Sequence, residues 1–258
     1  MGTETSTETS SDTSTGRFTD RVVIVTGSSS GIGEATARAF DAEGAHVVVN
    51  SSTSVEAGEA VAGTLARGTY VQADVSDPAA CEALVEAAVS RFGRLDVLVN
   101  NAGVTEVIAH HDLDAVTDEV FRRILDVNVL GPWRLTRLAM PHLRASGDGS
   151  VVNITSVAGV RPTGSSIPYA ASKAALNHIT ALLANVTGPE VRVNAVAPGL
   201  IRTPWTADWE FVHDAMVDRT PLQRSGEPED VASAVVDVAA SPYLTGQVVV
   251  VDGGLSLR

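Results

Sequence analysis

The sequence predicts a single α/β domain built on a doubly wound parallel sheet of about seven strands. Seven short runs rich in Val, Ile and Ala alternate with longer stretches of helical composition. The first run leads directly into a glycine-rich turn and a helix, which is how a βαβ unit begins. A chain of 258 residues can form one such domain with a well-buried core, and its sequence shows no internal repeat.

The elements follow from the apolar runs and the residues that interrupt them. Helices are predicted at 34–43, 55–67, 117–144, 170–186 and 229–240, with Asp77-Pro78 as a further helix start. Residues 1–16 are almost entirely Thr, Ser, Glu, Gly and Asp, so we expect a disordered tail before a domain at 17–258. Strands are predicted at 21–25, 45–50, 69–72, 95–99, 149–155, 191–197 and 246–251.

Charge and cysteine content exclude several classes of partner. The 18 basic and 31 acidic side chains give a net charge of −13, which argues against nucleic acid and anionic membranes. No apolar run approaches the length of a membrane span. The single Cys81 excludes an intramolecular disulfide and fits a reducing cytoplasm, where we expect the protein to reside. Because adjacent His110 and His111 would point to opposite sides of an extended loop, we predict no metal site.

The glycine-rich turn after the first strand predicts an anion site. It reads Thr26-Gly27-Ser28-Ser29-Ser30-Gly31-Ile32-Gly33 and opens the helix at 34–43. Backbone N–H groups and the helix dipole favour a pyrophosphate there, and glycines let the backbone approach it closely. The spacing is G-x-x-x-G-x-G rather than the common G-x-G-x-x-G, so its position between a strand and a helix carries the interpretation.

A second pattern points to acid–base chemistry. Tyr169 and Lys173 are four residues apart on a predicted helix and therefore share one face. An ammonium one turn away favours the phenolate and lowers the pKa of the phenol, while Ser156, after the preceding strand, could hold a carbonyl oxygen. Lys173 is the only lysine, since the other seventeen basic side chains are arginine. A Tyr-x-x-x-Lys pair is also common by chance, so this pattern alone leaves a purely structural role open.

Several motifs in the same order resemble the short-chain dehydrogenase/reductase family, in its short, single-domain branch. Besides the glycine turn, Ser156 and the Tyr169–Lys173 pair, these are Asn100-Asn101-Ala102-Gly103, Asn128 and Pro198-Gly199, and the likeness covers about 18–256. The resemblance implies a Rossmann-type fold and a catalytic set of Asn128, Ser156, Tyr169 and Lys173. Without it, Asn128 among apolar neighbours would be taken for a buried, satisfied amide.

The resemblance also implies a nicotinamide cofactor and the residues that contact it. Asp74 and Val75 would lie against the adenine ring, Thr203 beside the nicotinamide amide, and Lys173 on the ribose hydroxyls. The full expected contact set is Gly27, Ser29, Ser30, Gly31, Ile32, Gly33, Asn50, Ser51, Ser52, Asp74, Val75, Asn101, Ala102, Gly103, Tyr169, Lys173, Pro198, Gly199, Ile201 and Thr203. NADP(H) is expected in preference to NAD(H), because Asn50-Ser51-Ser52 ends the second strand without a carboxylate that would repel a 2′-phosphate.

These observations predict an oxidoreductase that transfers a hydride between the cofactor and a carbonyl or secondary alcohol. Tyr169 would act as general acid in reduction and base in oxidation. A cofactor-binding redox sensor without turnover is the alternative, and an isomerase or dehydratase using bound cofactor transiently is a third hypothesis. A complete Ser, Tyr, Lys and Asn set favours the enzyme.

Residues 200–222, called the lid segment below, are predicted to cover the active-site crevice. Trp205 and Trp209 fall here, and with Val212 or His213 they are spaced to share a helical face. They either anchor the lid or line an apolar pocket that favours small-molecule substrates with a hydrophobic arm. The resemblance further implies a homotetramer through paired long helices, the second carrying Ala170, Ala171, Ala174, Ala175 and Ala181, although these alanines could instead pack on the sheet.

Overall fold

A computed structural model describes residues 16–257 of the chain. The predicted tail therefore lies outside the described residues except for Gly16, and so does Arg258. Within the described part, no helix is long and apolar enough to cross a membrane.

All seven predicted strands form one parallel sheet, which confirms the predicted fold class. The strand order is β3-β2-β1-β4-β5-β6-β7. The observed ends lie within two residues of the predicted ones, because runs of Val and Ile bounded by polar residues identify buried parallel strands. The strands are β1 Val22–Val25, β2 His46–Ser51, β3 Gly68–Gln72, β4 Val97–Asn100, β5 Gly149–Ile154, β6 Val191–Pro198 and β7 Val248–Val251.

Helices cover both faces of this sheet and bury two apolar clusters. The helices are α1 Gly31–Ala42, α2 Val55–Thr64, α3 Pro78–Phe92, α4 Asp118–Leu125, α5 Gly131–Ala145, α6 Ile167–Thr187, α7 Glu210–Asp214, α8 Met216–Arg219 and α9 Pro228–Ala240. One cluster joins α1, α2 and α9 to the sheet, and the other joins α3, α5 and α6 to the opposite face. The predicted cap on α3 is confirmed, since Asp77 accepts a hydrogen bond of 2.9 Å from the Ala79 N–H.

The helix predicted at 117–144 is interrupted by a π-helical turn. The segment Asp126–Leu130 joins α4 to α5 in this wider geometry. Asn128 lies in the turn, fully buried. A π turn inside an α-helix displaces the side chains that follow it and is frequent at functional sites.

The lid segment is not one helix, so the predicted shared helical face is wrong. It consists of a 3₁₀ turn Pro204–Thr206 followed by the short helices α7 and α8. Thr203 and Thr206 form a capping box at the start of the first turn, and Trp209 precedes α7 as its N-cap residue. Trp205 therefore lies within the 3₁₀ turn and Trp209 just before α7, so the two tryptophans belong to separate helical pieces.

Chain order reverses across the sheet between β1 and β4. At such a switch point the connections leave to opposite faces and a crevice opens outside the carboxyl ends of the strands. The glycine turn after β1, the segment after β4 and the residues after β5 and β6 all meet at this edge.

Candidate active site

The glycine turn presents bare backbone at the N-terminus of α1. Ser30 makes no side-chain hydrogen bond to the first turn of the helix, so these N–H groups are not capped by it. Gly31 has a φ of +57°, and a Cβ there would lie 3.2 Å from Thr203 Cγ2. A Cβ on Gly33 would lie 2.3 Å from the Gly27 carbonyl oxygen. Because only glycine fits both places, the turn forms a close-fitting cradle for an anion.

Asn101 fixes this turn against the end of β4. Its Nδ2 donates to the carbonyl oxygens of Thr26 at 2.8 Å and Gly27 at 3.0 Å. In return the Thr26 hydroxyl accepts from the backbone N–H groups of Asn101 and Ala102, each at 3.0 Å. The cradle is therefore held in place by hydrogen bonds before any ligand binds.

The end of β2 offers fewer free polar groups than its sequence suggests. The buried Asn50 amide accepts from the Gly27 N–H at 3.3 Å and donates to the Val71 and Ala73 carbonyl oxygens at 3.1 Å each. The Ser51 hydroxyl is hydrogen-bonded to Tyr70 Oη at 2.8 Å. Ser52 is exposed, so its side chain is the one of the three that is accessible to solvent. Asn50 therefore supports the glycine turn with its side chain, although it also lines the cleft.

Ser156 is positioned by the turn that follows β5. It is the N-cap residue of a 3₁₀ turn, Val157–Gly159, and its Oγ accepts from the Ala158 N–H at 3.1 Å. An oxygen that accepts a backbone hydrogen bond still has its own proton to donate. Ser156 can therefore donate to an oxygen placed in the cleft.

Tyr169 lies in the first turn of α6, with its phenol facing the cleft. Burial raises the pKa of the Tyr169 phenol, and a hydrogen bond with the Ser156 hydroxyl opposes that rise. The indole of Trp205 meets the Tyr169 ring at a centroid distance of 6.3 Å and an interplanar angle of 67°. Trp205 therefore packs edge-on against the residue predicted to move the proton.

Lys173 follows one turn later and is buried. Its Nζ lies 5.7 Å from the centre of the Tyr169 ring and donates to the Ile154 carbonyl oxygen at 2.9 Å. Burial lowers the pKa of the Lys173 amine to about 8. Here the structure differs from the sequence expectation, because burial, not Lys173, has the largest effect on the pKa of Tyr169.

Asn128 lies behind the cleft and connects three segments. Its Oδ1 accepts from the Val104 N–H at 2.8 Å, and its Nδ2 donates to the Val104 carbonyl at 2.9 Å and to Ser172 Oγ at 3.0 Å. A Cβ on Gly103 would lie 3.4 Å from Asn128 Oδ1 and 3.5 Å from Lys173 Nζ, so both atoms lie beside Gly103. The buried amide is satisfied, as its apolar sequence context indicates, and it lies on the same side of Gly103 as the Lys173 amine.

Every sequence-predicted site residue except Asn128 lines one cleft of about 1410 Å³. The same cleft extends beneath the lid segment, where Trp205, Trp209, Val212 and Met216 form its wall. Of the two adjacent histidines only His110 lines it. Sequence reasoning did not single out other lining residues, including Arg161, Met216, Arg219, Leu255 and Ser256. Arg161 lies between Ser156 and Tyr169 in the sequence, and that place indicates a residue near the site. Leu255 and Ser256 are far from the other site residues in the sequence, so only the folded structure brings them to the cleft.

Comparison with known proteins identifies the family. Residues 27–256 match the family model described as Enoyl-(Acyl carrier protein) reductase. A protein of Streptomyces violaceoruber assigned as ketoacyl reductase 2 of the granaticin polyketide synthase is 56% identical over 239 residues, covering 92% of this chain and 96% of that one. The 3-alpha-(or 20-beta)-hydroxysteroid dehydrogenase of Mycobacterium tuberculosis is 41% identical over 243 residues, 93% and 90% of the two chains.

A solved structure agrees with these relatives. A Burkholderia xenovorans protein assigned as a short-chain dehydrogenase/reductase superposes with a TM-score of 0.87 at 38% identity, covering 92% of this chain and 98% of that one. The chain therefore belongs to the short-chain dehydrogenase/reductase family, as its motifs predicted. It is an oxidoreductase of that family, which implies NAD(P)(H) as cofactor.

The cleft fits such a cofactor. Uncapped N–H groups at the start of α1 suit a pyrophosphate, and the glycine cradle admits its close approach. From this turn the cleft continues without a break to Ser156 and Tyr169. A dinucleotide and a small substrate can therefore lie end to end in it.

Proposed function

We propose that this oxidoreductase reduces the ketone of a substrate carrying a hydrophobic arm, with Tyr169 donating the proton. The observation that supports this most is the single cleft that joins the glycine cradle, the Ser156–Tyr169 pair and the apolar wall of the lid segment. The relatives' names supply the substrate class, since one is assigned as a ketoacyl reductase and another is a hydroxysteroid dehydrogenase. A ketoacyl chain has both the ketone and the apolar arm.

The protein's own residues provide orientation and proton transfer. The bound nicotinamide supplies the hydride. Ser156 donates a hydrogen bond to the substrate carbonyl oxygen and holds it beside the Tyr169 phenol. Tyr169 Oη then gives its proton to that oxygen as charge develops, and the reverse transfer serves alcohol oxidation.

Lys173 acts behind the phenol. Its ammonium stabilises the phenolate left after proton transfer, and its position beside Gly103 suits a contact with the nicotinamide ribose. Asn128 holds the start of α6 by donating to Ser172 Oγ, which in turn donates to the Tyr169 carbonyl at 2.6 Å. Asn128 also keeps an acceptor beside Lys173, from which a water-mediated proton relay can start.

NADP(H) is the proposed cofactor. No carboxylate stands at Asn50-Ser51-Ser52 to repel a 2′-phosphate or to bind a ribose 2′-hydroxyl. The exposed hydroxyls of Ser52 and Ser54 and the N-terminus of α2 supply donors in place of a guanidinium. We expect kcat/KM with NADPH to exceed that with NADH, and a clear NADH advantage would contradict this assignment.

A cytoplasmic homotetramer is the proposed assembly. Ala171, Ala174 and Ala181 are exposed on α6, so these alanines do not pack on the sheet. Leu182 and Val186 on the same helix are 56% and 67% exposed. Small residues beside exposed apolar ones suit close helix–helix association. Light scattering at micromolar concentration should give the tetramer mass, and a monomer would contradict the proposal.

The test of function is oxidation of NADPH against a carbonyl panel. The panel comprises a 3-oxoacyl thioester with a long alkyl chain, a steroid ketone, a small polar ketone and a ketose sugar. We expect the first two to have the highest kcat/KM. Nicotinamide binding without turnover of any carbonyl would instead favour the redox-sensor alternative, and preference for the sugar would overturn the hydrophobic substrate class.

A further inference from the structure

The lid segment contains a buried histidine that the proposed mechanism does not use. His213 is only 3% exposed, although it belongs to the short helix α7. Its Nδ1 lies 2.8 Å from Ser225 Oγ and its Nε2 lies 3.1 Å from Thr206 Oγ1. Both ring nitrogens are thus engaged by hydroxyls from two other parts of the chain.

The hydrogen bonds of Thr206 assign the imidazole proton. The Thr206 hydroxyl has one proton, and it is directed to the Ile201 carbonyl oxygen at 2.8 Å. Toward His213 the same oxygen must therefore accept, so Nε2 carries a hydrogen and donates it to Thr206. Nδ1 is hydrogen-bonded to the Ser225 hydroxyl at the same time, so the imidazole connects the two side chains.

Thr206 in turn fixes the 3₁₀ turn that carries Trp205. Its Oγ1 also accepts from the Thr203 N–H at 3.2 Å, which closes the first turn of the lid segment on itself. Thr203 Cγ2 lies 3.2 Å from the position a Cβ on Gly31 would take. The turn held by Thr206 therefore reaches the glycine cradle.

The other partner of His213 belongs to the base of the lid. Ser225 is 3% exposed and precedes Gly226, which forms an isolated parallel bridge with Ile201. The Gly226 N–H donates to the Leu200 carbonyl at 2.9 Å, and its own carbonyl accepts from the Arg202 N–H at 2.9 Å. His213 thus connects α7 with the first turn of the lid segment and with the residues that follow the segment.

Trp205 is the cleft-lining side chain that this arrangement positions. Its indole packs against the edge of Tyr169, and its Cη2 lies 3.8 Å from where a Cβ on Gly103 would be. Gly103 borders Lys173 as well. The indole therefore lies over the reacting end of the cleft.

We propose that His213 is a positioning residue that holds the Pro204–Thr206 turn so that Trp205 covers Tyr169 and the substrate ketone. The effect that we expect on catalysis rests on the proposed ketone reduction. The position of the Trp205 indole, held by the His213–Thr206 hydrogen bond, does not, and it can be measured in the protein without substrate. A failure of one part is therefore distinguishable from a failure of the other.

The first test measures the fluorescence of Trp205 in a Trp133→Phe, Trp209→Phe background, where it is the only tryptophan. His213→Leu removes both hydrogen bonds at similar volume, and His213→Gln keeps an amide donor within reach of Thr206. Trp205 is 46% exposed, and the rest of its surface is covered in the cleft. We expect acrylamide quenching of Trp205 to increase roughly 1.5-fold in His213→Leu and much less in His213→Gln, because a released turn exposes the covered part of the indole.

Thr220→Val is the matched control. Thr220 is an equally buried lid residue whose hydroxyl donates to the Met216 carbonyl at 2.8 Å and accepts from the Arg224 N–H at 3.2 Å. Its hydrogen bonds do not involve the Pro204–Thr206 turn. Thr220→Val should lower the melting temperature without changing Trp205 quenching. Equal quenching in His213→Leu and the parent, or the same increase in Thr220→Val, would overturn the proposal.

Kinetics provide a second readout, measured in the chain with all three tryptophans. Loss of the His213–Thr206 bond should raise KM for a long-chain ketone roughly five- to tenfold, about the worth of one hydrogen bond, while kcat changes less than about twofold. Should His213→Leu fail to fold, Ser225→Ala removes the other hydroxyl that holds the imidazole, leaves the Thr206 hydroxyl in place and should give the same effects. A fall in kcat with unchanged KM in both variants would contradict a positioning role.

Discussion

The glycine cradle and the lid segment border the same cleft but are built differently. The cradle lies at the carboxyl ends of central parallel strands, and buried amides such as Asn50 and Asn101 fix its backbone. The lid segment is a succession of short helical pieces with exposed apolar side chains, Phe211 being 86% exposed. Side-chain hydrogen bonds of Thr206, His213 and Thr220 join these pieces, and His213 makes two of them.

This difference separates two functions. Groups that bind a cofactor and move a proton must be held rigidly, because displacement by a fraction of an ångström weakens catalysis. A segment that selects substrates needs apolar surface and the ability to open. We therefore expect changes near Tyr169 to lower kcat and changes in the lid segment to alter KM and substrate choice.

Tyr169→Phe should produce the largest effect. It removes the hydroxyl that we propose delivers the proton, so kcat for ketone reduction should fall at least about a thousandfold with cofactor affinity retained. Tyr243→Phe is the control, since that ring is fully exposed. Near wild-type turnover in Tyr169→Phe would show that the proton comes from another group.

Ser156→Ala should have the next largest effect. Loss of a single donor to a developing oxyanion lowers kcat roughly a hundredfold. Because Ser156 also caps the 3₁₀ turn after β5, the variant's melting temperature should be compared with that of Ser166→Ala, a buried serine whose hydroxyl has no partner among the described residues. Equal kcat in Ser156→Ala and wild type would remove Ser156 from the mechanism.

Lys173 gives the cradle side of the cleft a pH-dependent stability. Its pKa falls from 10.5 to about 8 on folding because burial disfavours the ammonium. Between these two pH values the unfolded chain binds a proton that the folded chain does not, so the free energy of unfolding rises with pH. Below pH 8 the folded chain bears the full penalty of burying the ammonium. Relative to Lys173→Met, wild type should gain roughly 3 kcal/mol across this window.

Urea unfolding of both proteins near neutral pH and near the upper end of the window would measure this gain. Taking the difference between the two proteins cancels the titration of all other groups. Parallel pH profiles for wild type and Lys173→Met would mean that the amine is hydrated in the folded state.

The same contrast explains what the sequence could predict. Strands such as β1 and β6 were placed within two residues, and the cradle and the Tyr169–Lys173 pair were identified, because these depend on local patterns of apolar and glycine residues. The π turn at Asp126–Leu130 cannot be predicted in this way, because its apolar spacing does not differ from that of an α-helix. Its Asn128 is also held by Val104, a residue distant in the sequence.

The lid segment was predicted least well, for a related reason. Regular spacing of Trp205 and Trp209 suggests one helix, whereas the segment forms a 3₁₀ turn and then a separate short helix. His213 turns away from the expected apolar face because two hydroxyls, one of them twelve residues later in the chain, bind its ring. Asn50 likewise turned inward to satisfy the Gly27 N–H. Buried polar side chains follow their partners rather than their sequence spacing.

The substitution with the smallest expected effect, Trp209→Ala, tests most directly whether the lid segment selects the substrate while the cradle side carries out catalysis. Trp209→Ala should be compared with wild type using a long-chain 3-oxoacyl thioester and a small ketone, with Tyr243→Ala, a fully exposed aromatic residue outside the lid segment, as control. Removing part of the apolar wall should raise KM for the long substrate about tenfold, leave kcat for the small ketone unchanged, and abolish most of the long substrate's advantage. If kcat falls equally for both ketones and their ranking is unchanged, the lid segment does not select the substrate and the account is wrong.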